Sequence, residues 1–349
     1  MKILIVTDAW EPQVNGVVRT LQATAKELDA MDHDVRFLTP LDDCFSNFPL
    51  PSYPEIKMPW NAWWHVGTLL KQIKPDAIHI ATEGTLGIAT SMFCRRKKIP
   101  FTTSYHTKTP EYIKARFPWV PLSWGYNFMR WHHKGSRACL VTTKSMKEEL
   151  DAWNIHSNLT VWSRGVDFDI FKPEAEFNRN ALLPVLTYVG RVSVEKNLEA
   201  FLDLPNDQFI KQIVGEGPDF ERLKSKYDHK NIRFLGYKYK EELAQVLAKT
   251  DVFVFPSLTD TFGIVMIEAN ACGAPVAAYP VTGPKDFIVN GVNGYTNNDL
   301  YTAVQDCLTL DRSTVYEYVR DNYSWEKTAH IFLDTLVPVS VRWGDVTLP

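Results

Sequence analysis

Val252-Phe-Val-Phe255-Pro-Ser257-Leu-Thr-Asp260-Thr-Phe-Gly263-Ile-Val-Met-Ile-Glu268-Ala-Asn-Ala-Cys-Gly273-Ala-Pro275-Val-Ala-Ala278 carries the logic of the whole chain. A short apolar run ends at Pro256, as in a strand buried on both faces. A polar loop follows. Residues 264–271 then read as a helix that begins near Gly263, and 275–278 as the next strand. Free N–H groups and the positive dipole end at such a helix start suit a diphosphate. Asp260 sits on the loop, and Glu268 lies about one and a half turns into the helix. The two carboxylates therefore reach one ligand from different depths. Carboxylates accept hydrogen bonds from hydroxyls, so a sugar or ribose is their natural partner. Taken alone, a capped helix with an incidental acid accounts for the same letters.

The same alternation extends both ways. Strands are expected at 185–189, 209–214 and 232–235, with helices at 197–204, 219–227 and 241–249. Toward the N-terminus, strands are expected at 2–7, 35–38, 77–81, 101–105 and 139–142. Residues 17–30 have helical periodicity, with Val17, Leu21, Ala25 and Leu28 on one face. Ser145 is placed to cap another helix, with Glu148 at the capping-box spacing. Strands alternating with helices imply parallel sheets covered on both faces, an α/β chain of two Rossmann-like domains. The polar, proline-bearing segment 171–180 sets the expected boundary, giving domains 1–170 and 171–324. Two such domains in succession imply a ligand cleft between the C-terminal edges of their sheets.

Composition narrows the class. The chain has 349 residues, 45% hydrophobic and 23% charged, which excludes a disordered chain, a coiled coil and a collagen-like rod. No apolar stretch approaches the ~18 residues of a membrane-spanning helix, and the N-terminal apolar run is too short for a signal peptide. Five cysteines without CxxC spacing read as reduced thiols of a cytoplasmic protein. A net charge of −3 argues against nucleic acid as a partner. Residues 1–170 hold 20 Lys+Arg against 17 Asp+Glu, and the remainder 18 against 24. Nine of the 11 tryptophans lie in the first domain. A basic, Trp-rich half joined to an acidic half indicates two different jobs.

Further motifs follow strand ends. Gly190-Arg191-Val-Ser-Val-Glu-Lys196-Asn197 places a phosphate-gripping Arg and a Lys before a helix; a solvated turn is the plain alternative. It is not a P-loop, and no GxGxxG occurs, which disfavours ordinary ATP or NAD binding. Gly16, at the first strand-to-helix turn, lets backbone approach a ligand or simply makes the turn. His106 ends a strand in Ser104-Tyr-His106-Thr-Lys108, where either a catalytic or a structural histidine fits. Asp32-His-Asp34 and Asp167-Phe-Asp169 spell DxD but sit in a turn and at the domain link, so no metal site is assigned.

Taken together, these segments resemble the retaining GT-B-fold glycosyltransferases. Their family includes sucrose synthase, bacterial glycolipid synthases and GDP-mannose-dependent mannosyltransferases. Thr7-Asp-Ala-Trp-Glu-Pro-Gln-Val-Asn-Gly-Val-Val-Arg19, Tyr105-His106-Thr107 with Pro110-Glu-Tyr112, Ser163-Arg-Gly-Val-Asp167, Val189-Gly-Arg191 to Lys196, Val214-Gly-Glu-Gly-Pro218 and 255–275 match in order. The resemblance implies that Gly16 lies near the donor diphosphate and His106 by the donor sugar. It implies that Arg191 and Lys196 neutralise the leaving diphosphate and Glu268 holds the ribose. Asp260, with the backbone of Thr261, Phe262 and Gly263, faces sugar and phosphates, and Gly215, Glu216 and Gly217 lie near the base. The family's usual first acid is Glu, so Asp260 is a departure. No metal or other cofactor is implied. Residues 325–349 resemble the helix that returns to the first domain.

The acceptor is expected on the first domain. Residues 116–134, with Trp119, Trp124, Arg130 and Trp131, interleave bases and aromatics, and Arg95-Arg-Lys-Lys98 and Trp60-Asn-Ala-Trp63-Trp64 add to them. Bases attract anionic headgroups, and tryptophan favours the bilayer interface; core aromatics with solvated bases are the plain alternative. The expected activity is hexose transfer from a nucleotide-sugar, most simply a UDP-sugar, to a membrane lipid such as diacylglycerol. The expected location is the inner face of the cytoplasmic membrane. The rival is GDP-mannose-dependent mannosyl transfer to a lipid-linked or soluble glycan. A hydrolysing epimerase, a phosphorylase and a non-catalytic nucleotide-sugar binder are the other classes weighed.

Overall fold

A computed structural model describes residues 1–11, 16–50, 53–174, 182–258 and 262–347. The chain divides into two units, Met1–Ser163 with Trp325–Pro349, and Arg164–Ser324. The first unit contains β1 (Lys2–Val6), β2 (Asp34–Leu38), β3 (Asn47–Leu50), β4 (Tyr53–Pro59), β5 (Ala77–Ile80), β6 (Thr102–Tyr105), β7 (Cys139–Val141) and β8 (Leu159–Val161). Six of these form one sheet, β2-β1-β5-β6-β7-β8, with every pairing parallel. Alternation explains the burial. Leu4, Val6, Ile78 and Ile80 pack on one face, and Ile3 and Ile5 on the other. The separate antiparallel hairpin β3–β4 was not expected, because Pro49, Pro54 and Pro59 interrupt the strand signal.

The second unit contains β9 (Val185–Val189), β10 (Ile210–Val214), β11 (Ile232–Gly236), β12 (Val252–Phe255), β13 (Val276–Ala278) and β14 (Gly294–Thr296). They run β11-β10-β9-β12-β13-β14, again all parallel. Strand order reverses between β1 and β5 in the first unit and between β9 and β12 in the second. Those switch points are where open α/β sheets bind ligands, just outside the C-terminal ends of the strands.

Three expectations are corrected. The boundary falls between Ser163 and Arg164 rather than at 170/171. Val166 and Phe171 are buried in the second unit's core, with Phe168 and Ile170 packed against it, and Val166 N–H donates to Tyr323 O. Thr143, not Ser145, caps the helix Lys144–Ala152, its hydroxyl accepting from Met146 N–H at 3.1 Å. In the helix Gly16–Ala30, Val18 rather than Val17 is the fully buried residue of the first turn. The helix Trp325–Thr335 packs on the first unit, where Ala329 and Phe332 join Ile3, Ile5 and Trp162. Trp162 Nε1–H donates to Thr328 O there at 3.0 Å. Among the described residues, no helix is long and apolar enough to cross a membrane.

Candidate functional site

In the second unit, the loops leaving β9, β10 and β11 are zipped together by backbone. Gly190 N–H donates to Val214 O at 3.0 Å, Val192 N–H to Glu216 O at 2.9 Å, and Gly215 N–H to Gly236 O at 2.8 Å. Their approach leaves no room for side chains. A Cβ at Gly215 would stand 1.9 Å from Gly190 O, and one at Gly217 would stand 2.3 Å from Val192 O. Both glycines, expected beside the base, thus have a packing requirement of their own. Glu216 between them is exposed.

This zipped edge carries the two cations. Arg191 is exposed and Lys196 half-buried, the latter ending a single 3₁₀ turn, Val194–Lys196. Lys196 N–H donates to Ser193 O at 3.0 Å. Asn197, in the left-handed conformation at φ 52°, donates its Nδ2–H to Pro256 O at 3.2 Å. That bond ties the β9 loop to the β12 loop across the switch point. Arg191, Lys196 and the stretch that opens the helix Ile264–Ala271 therefore share one sheet edge.

The helix start is built around Gly263. Its φ is 84°, and a Cβ there would meet the Phe255 ring at 2.9 Å, so a side chain is excluded twice over. Phe262 packs its ring into the core near Phe287 and Tyr323, which leaves only its backbone for a ligand. Glu268 is 2% exposed. Its charge, after the larger effect of burial, helps push the Cys272 thiol up to about 12. Asp260 and Thr261 lie outside the described residues, as does Asn15. Gly16 opens its helix on an exposed turn, and its carbonyl accepts the Thr20 hydroxyl at 2.6 Å.

The corresponding edge of the first unit is lined by buried polar groups. Asp8 accepts from Leu86 N–H at 2.8 Å, Gly87 N–H at 3.1 Å and Thr82 Oγ1–H at 3.0 Å, capping the helix Thr85–Lys97. Burial raises its pKa, and these bonds oppose the rise. Glu83, beside it, is pushed up to about 8, mainly by burial, with Asp8 adding repulsion. Its Oε1 lies 3.8 Å from Nε2 of fully buried His133.

His106 is 7% exposed and held by a relay. Its Nε2 is 2.8 Å from Ser104 Oγ, which is 3.1 Å from His79 Nε2 and 3.3 Å from Ala81 O. His79 Nδ1 is 2.9 Å from Thr102 Oγ1. Burial lowers the His79 pKa to about 3, so its ring is neutral near pH 7. A serine has one proton to give and two lone pairs. Donation to Ala81 O, with both rings donating Nε2–H to Ser104, satisfies the serine and both Nε2 atoms. His106 also packs 5.6 Å from the Trp162 ring. The sequence singled out His106 and not His79, although a histidine within the apolar strand Ala77-Ile-His79-Ile80 was a visible signal.

The aromatic stretch separates into two faces. On the helix Leu122–His133, Tyr126, Met129, His132 and His133 are buried. Trp124, Phe128 and Trp131, at i, i+4 and i+7, are 67%, 37% and 40% exposed. Trp119 precedes them at 76% exposed, in edge contact with Phe117. Lys114 and Lys134 are exposed nearby, and Arg95 lies 4.9 Å over the Trp131 ring. Arg130 is committed elsewhere, its guanidinium holding Trp153 O and Asn154 O.

Known proteins are similar to this chain in sequence and fold. Residues 14–170 match the family model Glycosyltransferase Family 4, and residues 170–298 match Glycosyl transferases group 1. Sulfoquinovosyl transferase SQD2 of Arabidopsis thaliana is 29% identical over 78% of this chain, which spans only 56% of that enzyme. A GDP-mannose-dependent alpha-mannosyltransferase of Corynebacterium glutamicum is 27% identical over 84% of this chain and 76% of its own length. Alpha-monoglucosyldiacylglycerol synthase of Streptococcus pneumoniae is 24% identical over 97% and 86%. Sucrose-phosphate synthase from Thermosynechococcus elongatus superposes with a TM-score of 0.77 at 20% identity, covering 95% of this chain and 97% of that one. The two parallel sheets are those of the GT-B fold. The chain belongs to this glycosyltransferase family and is a transferase.

Proposed function

We propose that the protein is a retaining, metal-independent hexosyltransferase that uses a UDP-sugar and glycosylates a membrane lipid such as diacylglycerol. It would act at an anionic surface, on the inner face of the cytoplasmic membrane. The observation that carries the lipid reading is the exposed Trp119, Trp124, Phe128 and Trp131 face, flanked by Lys114 and Lys134. Exposed aromatic side chains grouped on one helix face mark an interaction surface, and tryptophan beside lysine suits a headgroup layer. The diacylglycerol synthase relative supports the same class of acceptor.

In this reading Arg191 and Lys196 stabilise charge as the sugar's anomeric carbon leaves the diphosphate. The helix start at Gly263 adds its dipole, Glu268 accepts from the ribose hydroxyls, and His106 contacts the sugar. Gly16 approaches the diphosphate, Asp260 and Thr261 the sugar and phosphates, and Gly215, Glu216 and Gly217 the base. The acceptor oxygen bonds to the anomeric carbon on the face the diphosphate leaves, and its proton passes to the departing phosphate.

The test is a panel of radiolabelled nucleotide-sugars incubated with lipid extract. Label from a UDP-hexose in the organic phase is expected. Label from GDP-mannose alone would instead favour the second reading, mannosyl transfer to a glycan, for which the mannosyltransferase relative is the specific support. Flotation with vesicles should rise with anionic lipid and fall with salt; a protein that never floats removes the membrane arm.

A further inference from the structure

Buried polar groups in native folds are paired almost without exception, and each unpaired one calls for a reason. Among the described residues of the second unit, two buried hydroxyls have no hydrogen-bond partner: Ser193 Oγ and Ser257 Oγ. The residues are 4% and 0% exposed. Other buried hydroxyls of the unit are satisfied, as where Thr187 Oγ1 and Thr250 Oγ1 bond at 2.7 Å.

The two serines are not scattered. Ser193 follows the C-terminal end of β9 and Ser257 that of β12. These strands are neighbours, with Phe253 opposite Thr187. They flank the switch point, and Asn197 joins their loops through Pro256 O. Ser193 also accepts Lys196 N–H on its carbonyl at 3.0 Å, so one tight turn carries both residues. Two uncompensated O–H donors on the sheet edge that also carries Arg191 and Lys196 suit the oxygens of a phosphate dianion.

We propose that Ser193 and Ser257 are donor-binding residues whose hydroxyls donate to the diphosphate of the nucleotide-sugar. This rests on the donor reading above. Both hydroxyls lie on loops rather than in strands, so a small adjustment on binding brings each to a ligand oxygen. Their unpaired state is then a cost carried by the empty protein and relieved by the ligand.

That cost gives the test its signature. Ser193→Ala, Ser257→Ala and the double variant are melted without ligand and titrated with UDP, GDP and inorganic pyrophosphate by calorimetry. Each alanine should raise the melting temperature of the empty protein by about 2–4 °C. Each should weaken the diphosphate ligands by about tenfold, leaving uridine or guanosine binding unchanged. A lower melting temperature would show that the hydroxyls have structural partners, and unchanged diphosphate affinity that they do not meet the ligand; either overturns the proposal. A wild-type protein that binds neither UDP nor GDP removes the donor reading itself. Binding by wild type and variants alike removes only the role of the serines.

Discussion

At the C-terminal edge of the second unit's sheet, Arg191 and Lys196 stand on loops zipped by backbone. At the matching edge of the first unit, Asp8 is held by backbone N–H groups and Thr82, His79, Ser104 and His106 form a hydrogen-bonded chain, and Glu83 is buried beside Asp8. Both edges arise from the same device, a parallel sheet whose strand order reverses. The fold supplies two equivalent places for a ligand, and a handful of strand-end side chains decide what each can do. One edge offers fixed positive charge. The other offers groups whose protonation burial controls.

The contrast is broken most severely at the cations. Arg191→Ala or Lys196→Ala should lower turnover about 10²–10³-fold while melting stays near wild type, since Arg191 is exposed and Lys196 half-buried. Steady-state kinetics with calorimetry checks this; a loss within threefold would mean the charge does not face the leaving group. Next come the glycines that seat each edge. Gly215→Ala drives a Cβ to 1.9 Å from Gly190 O, and Gly87→Ala to 2.0 Å from Thr82 O. Backbone cannot yield cheaply, so each should cost about 2–4 kcal/mol in chemical denaturation. Wild-type stability in either would disprove the tight approach at that edge.

How much of this was legible is clearest from particular residues. The stretch 252–275 yielded its strand and its helix, because an unbroken apolar run, a polar loop and a glycine at the helix start are legible without tertiary context. The cations were legible because they follow a strand end. The hairpin β3–β4 was hidden by its prolines. The boundary shifts from 170/171 to 163/164 because Val166, placed in the first domain by the sequence reading, enters the second unit's core. Ser193 and Ser257 lay inside quoted motifs, yet burial without a partner is a three-dimensional property that no spacing reveals. The relay through His79 joins residues whose contact exists only once β5 and β6 pair.

Smaller effects sharpen the first unit's side of the contrast. Ser104→Ala leaves His79 Nε2 and His106 Nε2 facing no hydroxyl. It should reduce kcat about tenfold with KM nearly constant, and cost about 1–3 kcal/mol. Unchanged kcat would make the relay purely structural. Last is a pH effect. The Glu83 pKa, about 8, lies above its ordinary 4.5, so its protonated form is the one the fold favours. That stabilisation is complete below about pH 4.5 and is lost as pH rises toward about 8. His79, lowered from 6.5 to about 3, acts oppositely: its contribution is present above about pH 6.5 and lost as pH falls toward 3. Glu83→Gln should therefore flatten the fall in melting temperature between about pH 5 and 8. An identical slope in wild type and variant would show that Glu83 is not the group responsible.

Soaking crystals in UDP and, separately, in GDP addresses the cationic edge without intermediaries. The diphosphate of one nucleotide should lie beyond the ends of β9 and β12, within hydrogen-bond reach of Arg191 and Lys196. Density elsewhere, or an empty edge at saturating nucleotide, would refute the assignment of that edge to the donor.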